Sequence, residues 1–217
     1  MSRIFLASRN RKKIVEMERL LREYAPDVEV LGIDDVEGYD EPVEDQPTFE
    51  GNALLKARAG LENTGLPSLA DDSGLCVDAL NGMPGVLSAR WAGPGAGDPA
   101  AKDRANNELL LAQLADVPDE RRGAEFRCAV VLALPADGPV ARPTTHTVTG
   151  TMRGRVIREV RGSGGFGYDV LFCAEGHDVT TAEMDPIDKD AISHRGEALR
   201  AIAPVVAESL SRVRSES

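Results

Sequence analysis

Leu69–Gly93 reads LADDSGLCVDALNGMPGVLSARWAG. An apolar run from Leu66 to Ala70 predicts a buried strand. Two adjacent carboxylates, Asp71 and Asp72, follow at its end, then Ser73 and Gly74. Acidic pairs are costly at the end of a buried strand unless something cationic faces them. A divalent metal meets that need, because hard oxygen ligands suit Mg2+ or Mn2+. A solvated turn is the other reading, since Asp-Asp-Ser-Gly is also good turn chemistry. The residues beyond favour a site. Asp78, Gly82-Met83-Pro84-Gly85, Ser88, Arg90 and the single tryptophan, Trp91, form a polar, glycine-rich loop system beside the two carboxylates.

Upstream, Arg3–Ala7 predicts a short strand. The basic turn Ser8, Arg9, Asn10, Arg11, Lys12, Lys13 leads into a helix with Ile14, Met17, Leu21 and Tyr24 on one face. Such a turn presents free backbone N–H groups and the positive end of a helix dipole to an anion. Ser8 and Asn10 can hydrogen-bond phosphate oxygens, and Lys13 adds a point charge; Ser and Asn are also ordinary helix caps. A second strand spans Val28–Ile33. An acidic loop, Asp34–Pro47, carries Glu41, Glu44 and Asp45, of which one can reach a metal. The helix Thr48–Asn63 has Phe49, Ala53, Ala57 and Leu61 as its stripe, with Asn52 and Lys56 one turn apart on its flank.

Downstream, Asp98 caps a helix over Pro99–Leu114, Phe126–Leu134 is a buried strand, and Thr144–Thr151 is a β-branched one. Loose links are expected at Gly93–Pro99 and Pro135–Pro143, and a further short element at Val156–Val160. Gly162, Gly164 and Gly167 match G-x-G-x-x-G in form only, because that fingerprint should open a helix and Tyr168–Cys173 reads as a strand. The segment reads instead as a glycine arm that sets Phe166 and Tyr168 to stack on a planar ligand, or as a hairpin loop with buried aromatics. Asp185–Asp190, with Lys189, is a polar turn or short helix. Ser193-His194-Arg195-Gly196 precedes the last helix.

Composition narrows the class. The 217 residues are 42% hydrophobic, with a net charge of −11. That charge argues against a nucleic-acid polymer or an anionic membrane as partner, but not against a small polyanion in a local cationic pocket. Only five of the 25 cationic residues are lysines: Lys12, Lys13, Lys56, Lys102 and Lys189. Three scattered cysteines, Cys76, Cys128 and Cys173, read as reduced core thiols of a cytoplasmic protein. No apolar run approaches the length of a membrane span.

Taken together, S-x-N-x-x-K at Ser8–Lys13, F-x-x-N-A-x-x-K-A at Phe49–Ala57, ADDSGL-x-VDAL-x-G-x-PGV-x-SAR at Ala70–Arg90, GGFGYD at Gly164–Asp169 and SHRG at Ser193–Gly196 resemble the Ham1-like family of inosine/xanthosine triphosphate pyrophosphatases. The resemblance runs from Arg3 to about Leu210. It implies an α/β fold, an elongated mixed sheet with flanking helices in two lobes around a central cleft, formed by one domain over 1–217, and usually a homodimer. It implies Mg2+-dependent hydrolysis of ITP, dITP and XTP to monophosphate and pyrophosphate. Position by position, Ser8, Asn10 and Lys13 match the triphosphate-binding turn, and Glu44 the loop acid that helps hold Mg2+. Asp72 matches the proton acceptor and metal ligand, with Asp71 beside it and Ser73 on the substrate. Phe166, Gly167, Tyr168 and Asp169 match the arm on the base, and Lys189, His194 and Arg195 the base-recognition end. Gly51, Val170 and Asp188 depart from the family pattern without removing a named catalytic group.

Asp72 would orient a water or take its proton, while Lys13 and Lys56 offset charge on the leaving oxygens. Two rivals are a non-hydrolysing nucleotide sensor, disfavoured because carboxylates repel a triphosphate unless they hold a metal, and a Maf-type pyrophosphatase of other nucleotides, which a substrate panel distinguishes.

Overall fold

The structure, a computed structural model, describes residues 2–37, 39–93, 98–136 and 143–215, without the side chains of Ser2, Lys12, Glu16 and residues 212–215. The expected links at Gly93–Pro99 and Pro135–Pro143 lie largely outside the described residues.

Among the described residues, six strands form one mixed sheet in the order β2-β1-β3-β4-β5-β6. These are β1 (Ser2–Leu6), β2 (Val28–Leu31), β3 (Ser68–Val77), β4 (Gly123–Leu134), β5 (Thr144–Val156) and β6 (Phe172–Ala174). β1 pairs in parallel with β2 and β3, whereas β5 and β6 are antiparallel. The helices are α1 (Arg11–Arg22), α2 (Phe49–Thr64), α3 (Pro99–Gln113), α4 (Pro186–Ile192) and α5 (His194–Ser215). The α/β class with a mixed sheet is therefore as expected. None of the described helices is long and apolar enough to cross a membrane.

The chain divides into two compact units. One comprises Met1–Asp72, Cys128–Gly150 and Arg195–Ser217; the other comprises Ser73–Arg127 and Thr151–His194. The core of the first unit gathers Ile4 and Leu6 of β1, Met17 and Leu21 of α1, Leu69 of β3, Val130 and Leu132 of β4, and Leu199, Ile202 and Val206 of α5. The spacing of three and four on both helices aims each apolar stripe into that core. α2 begins at a Thr48 cap, whose Oγ1 accepts from Gly51 N at 3.1 Å, and ends at Gly65 in the left-handed conformation. Its buried face is wider than its apolar stripe and includes Asn52, Lys56 and Gly60. Glycine is required at 60, where a Cβ would stand 2.2 Å from Ser68 Oγ and 2.7 Å from the Phe5 ring.

The second unit has its own core. Leu75 and Val77 of β3, Leu110 and Leu114 around the end of α3, and Phe126, Met152, Tyr168, Leu171 and Phe172 compose it. Arg122 is buried there and donates to three carbonyls, Leu114 O at 2.6 Å, Val156 O at 2.8 Å and Ile157 O at 3.0 Å. This planar fork ties the end of α3 to the end of β5. Burial, aided by nearby Arg158, lowers its pKa.

Four expectations are corrected. The strand expected to stop at Ala70 runs on to Val77, so Asp71 and Asp72 lie inside it. Val156 ends β5, and no separate strand or helix follows through Val160. Tyr168–Cys173 is mostly a tight helical turn, Gly167–Leu171, with strand pairing left to Phe172–Ala174. Asp169 bends back to accept from Phe166 N at 2.9 Å, which closes that turn. Finally, His194 and Arg195 occupy the first turn of α5 instead of preceding it.

Candidate active site

In the first unit, β3 decides the geometry. Side chains alternate along a strand, so Leu69 and Asp71 point to one face, and Ser68, Ala70 and Asp72 to the other. The two carboxylates consequently have separate partners.

Asp71 is 2% exposed. Its Oδ2 accepts from Lys13 Nζ at 3.1 Å and from Arg195 Nε at 3.3 Å, and Cys128 Sγ lies 4.0 Å away. Burial alone pushes its pKa up. The charges of Lys13, Arg195 and Lys56, with the Lys13 hydrogen bond, outweigh burial and hold the carboxyl well below the ordinary carboxylate range. Asp71 is thus a fixed anion organising two cations.

Asp72 meets α2. Asn52 Nδ2 donates to its Oδ2 at 2.9 Å, and Asn52 Oδ1 accepts from Gln46 N at 2.9 Å, so one buried amide joins the acidic loop to the strand. Lys56 Nζ lies 3.9 Å from Asp72 Oδ1 and is ion-paired with Glu44. Burial, with Glu44 adding to it, pushes Asp72 above its ordinary value; Lys56 and the Asn52 hydrogen bond offset this only in part. For Lys56, burial works against the charge, but Asp71, Glu44 and Asp72 prevail and raise its pKa. Of the three loop acids considered from sequence, Glu44 is the one at Lys56, while Glu41 accepts from Arg9 at 3.2 Å.

The turn before α1 caps itself. Ser8 Oγ accepts from Asn10 N at 3.2 Å, and Asn10 Oδ1 accepts from Lys13 N at 3.3 Å. Ser8 is buried, whereas Arg9 and Arg11 are exposed, and the Lys12 side chain lies outside the described residues. Arg9 is engaged by Glu41 and, at 3.6 Å, by Asp34. Within this unit the fold therefore brings Lys13, Asn52, Lys56, Asp71, Asp72, Glu44 and Arg195 into one network. Arg195, expected at the base-recognition end, shares Asp71 with Lys13 of the turn.

The glycine arm belongs to the second unit. Phe166 is half-buried, and Lys189 Nζ stands 5.6 Å from its ring centroid, within cation–π range. The same ammonium binds Asp169 Oδ2 at 2.7 Å, and Thr181 Oγ1 donates to Asp169 Oδ1 at 2.8 Å. Gly165 leaves room for that carboxylate, since a Cβ there would stand 2.1 Å from Asp169 Oδ2. Tyr168 points elsewhere. Its ring is in the core, its hydroxyl donates to Ser88 O at 2.9 Å, and burial, with Asp103 adding to it, raises its pKa. His194 is buried with its ring stacked on Phe126, centroids 4.9 Å apart. Ser73 is half-buried on β3.

Sequence reasoning missed the part played by α3. Asp103 Oδ2 accepts from Gly167 N at 2.8 Å, and Asn107 Nδ2 donates to Gly167 O at 3.0 Å. Asn106 Oδ1 accepts from Ala92 N at 2.8 Å. The available signal was weak: Asp103 and Asn107 are four apart on a helix, hence on one face.

The chain matches the model of the Ham1 family over residues 4–205. A dITP/XTP pyrophosphatase of Nocardia farcinica is 54% identical, with 98% of each chain covered. One from Cutibacterium acnes is 52% identical over 97% of this chain and 98% of its own. Among solved structures, a HAM1 protein from Coxiella burnetii superposes with a TM-score of 0.81 at 39% identity, covering 96% of this chain and 100% of that one.

Proposed function

The chain belongs to the Ham1 family, and on that premise we propose that it hydrolyses non-canonical purine nucleoside triphosphates, dITP, ITP and XTP, to the monophosphate and pyrophosphate. The observation that carries this reading is the split acidic pair. Asp71 is committed to Lys13 and Arg195, whereas Asp72, pushed up by burial, is held at one oxygen by Asn52 and is the better proton acceptor.

In the proposed reaction, water adds to the α-phosphorus and its proton passes to an oxygen of Asp72. The bond from that phosphorus to the α–β bridging oxygen breaks, and pyrophosphate leaves with the electron pair. Lys13 and Lys56 offset the charge that grows on the leaving oxygens. The backbone of the Ser8–Lys13 turn and the α1 terminus hold the phosphate chain.

A divalent cation fits the donor set. Asp72 and Glu44 share Lys56 Nζ and offer hard oxygens, and no group of three or more metal-binding side chains gathers among the described residues. Mg2+ commonly takes one or two carboxylates and completes its shell with phosphate oxygens and water. Bound there, the ion would draw charge from the phosphates and acidify water.

In the second unit, Phe166 offers its ring to the purine, and Lys189, a pure donor, suits a 6-keto oxygen but not the 6-amino group of adenine. The proposed enzyme works as a homodimer, as the resemblance implies, and the three buried free thiols suit a reducing cytoplasm.

The test is incubation with dITP and, separately, ATP in the presence of Mg2+, with phosphorus NMR of the products. Pyrophosphate and dIMP from dITP, with little turnover of ATP, are expected. Release of inorganic phosphate, or equal use of ATP, would overturn the proposal.

A further inference from the structure

We propose that Asp103 and Asn107, on one face of α3, are positioning residues for base recognition: they clamp Gly167 by both of its backbone groups and so hold the Phe166 ring in place. The inference rests on reading Phe166 and Lys189 as the base platform.

The clamp is unusual in its completeness. A residue in an exposed glycine arm ordinarily leaves its N–H and C=O to water. Here Gly167 N donates to Asp103 Oδ2 at 2.8 Å, and Gly167 O accepts from Asn107 Nδ2 at 3.0 Å. Gly167 has a φ of +62°, a conformation that favours glycine. One residue earlier, Phe166 N donates to Asp169 Oδ2, the oxygen that also binds Lys189. The N–H groups of both residues 166 and 167 therefore end on carboxylates, and the cation over the ring is fixed by one of those same carboxylates.

Asn107 is 5% exposed, and its Oδ1 is buried with no hydrogen-bond partner. Burying an unsatisfied acceptor costs stability. An apolar side chain at 107 would avoid that cost, and what it would lose is the bond to Gly167 O. The cost is accepted where it fixes the arm. Asp103 and Asn107 reach the arm from a helix closed at its N-terminus by Asp98, whose Oδ1 accepts from Ala100 N, and tied at its end by Arg122. Sites carried by rigid elements hold geometry better than sites carried by loops alone. The clamp thus gives a glycine-rich segment the precision of a helix.

The test compares Asp103→Ala, Asn107→Ala and Phe166→Ala with Asp103→Asn, which keeps an acceptor for Gly167 N. Steady-state kinetics with dITP are read beside inhibition by inorganic tripolyphosphate, which has the phosphate chain and no base. Because KM is independent of the amount of active enzyme, partly unfolded variants remain informative. Asp103→Ala and Asn107→Ala should raise KM for dITP by roughly tenfold with kcat changed far less, as expected when binding shared by ground and transition states is lost. The tripolyphosphate inhibition constant should stay unchanged, and Asp103→Asn should restore most of the affinity. If Phe166→Ala raises KM but neither alanine variant on α3 does, the clamp is structural only and the inference fails. If Phe166→Ala also leaves KM unchanged, the base platform itself has been misassigned. A parallel loss of tripolyphosphate affinity in the α3 variants would equally overturn positioning of the base.

Discussion

Asp71 and Asp72 are consecutive residues of β3 that address opposite faces of the sheet and keep different company. Asp71 binds Lys13 and Arg195, whereas Asp72 binds Asn52 and approaches Lys56. The division separates a carboxylate held by two cations from the one proposed as proton acceptor, and the variants below read the two roles apart.

Asp72→Asn should retain the fold, because an asparagine oxygen can still accept from Asn52 Nδ2. It removes the proposed proton acceptor, so turnover of dITP should fall by at least about a hundredfold on the precedent of general-base catalysis. Stopped-time pyrophosphate release, with circular dichroism as the folding control, measures this; near-normal turnover at saturating Mg2+ removes Asp72 from the chemistry.

Lys13 and Lys56 should behave differently. Lys56 is buried at 5% exposure against Glu44 and Asp72. Lys56→Met strands two partly buried carboxylates, and breaking such a pair costs about 3–5 kcal/mol. A clear drop in denaturation midpoint is expected along with lost activity. Lys13→Ala leaves Arg195 on Asp71, so it should lower kcat/KM with a much smaller loss of stability. Equal destabilisation by both substitutions would contradict this.

Stability should depend on pH through Asp71. Its folded-state pKa lies below the unfolded value of about 3.9. A depressed carboxylate contributes stability in full above the unfolded pKa, and that contribution fades as pH falls through the folded one. Denaturant melts of the wild type and Asp71→Asn should therefore differ most at pH above about 4 and converge in stronger acid. A gap that widens towards acid would reverse the assignment.

Gly51→Ala tests the loop that brings Glu44 to Lys56. A Cβ at 51 would lie 2.8 Å from Gln46 Cβ, and Gln46 N is held by Asn52. Alanine gains up to about 1 kcal/mol in helix propensity over glycine, while forcing atoms into a filled space costs typically about 1–3 kcal/mol. A modest net destabilisation with reduced Mg2+ affinity is expected. Increased stability with unchanged metal dependence would mean that the loop yields freely.

Much of this organisation was legible in the chain. The stripe Phe49, Ala53, Ala57, Leu61 announces α2 and the Asp98 cap announces α3, because helix periodicity and capping are local signals. The placing of Asn52 and Lys56 together at the edge of the buried face was legible too, since both flank that stripe. What eluded sequence reasoning depended on distant partners. Asp71 and Asp72 look like a turn until Lys13, Arg195 and Lys56 are present to let a strand run through them. Tyr168–Cys173 looks like a strand until Asp169 turns back on Phe166 N. Nothing local distinguishes Glu44 from Glu41, or marks Asp103 and Asn107 as the holders of a glycine some sixty residues away.

The chain contains one tryptophan, and its indole N–H donates to Gln113 Oε1 at 2.9 Å, at the end of α3. The protein therefore carries a single tryptophan reporter, located in the unit of the glycine arm, while the unit of the acidic pair emits no tryptophan signal of its own. Tryptophan fluorescence, excited where tyrosine does not absorb, will follow the loosening of α3. Far-ultraviolet dichroism will follow both units together. If the units melt in separate steps, the two traces will part, and the order in which they part will identify the weaker half of the enzyme without a label or a substitution.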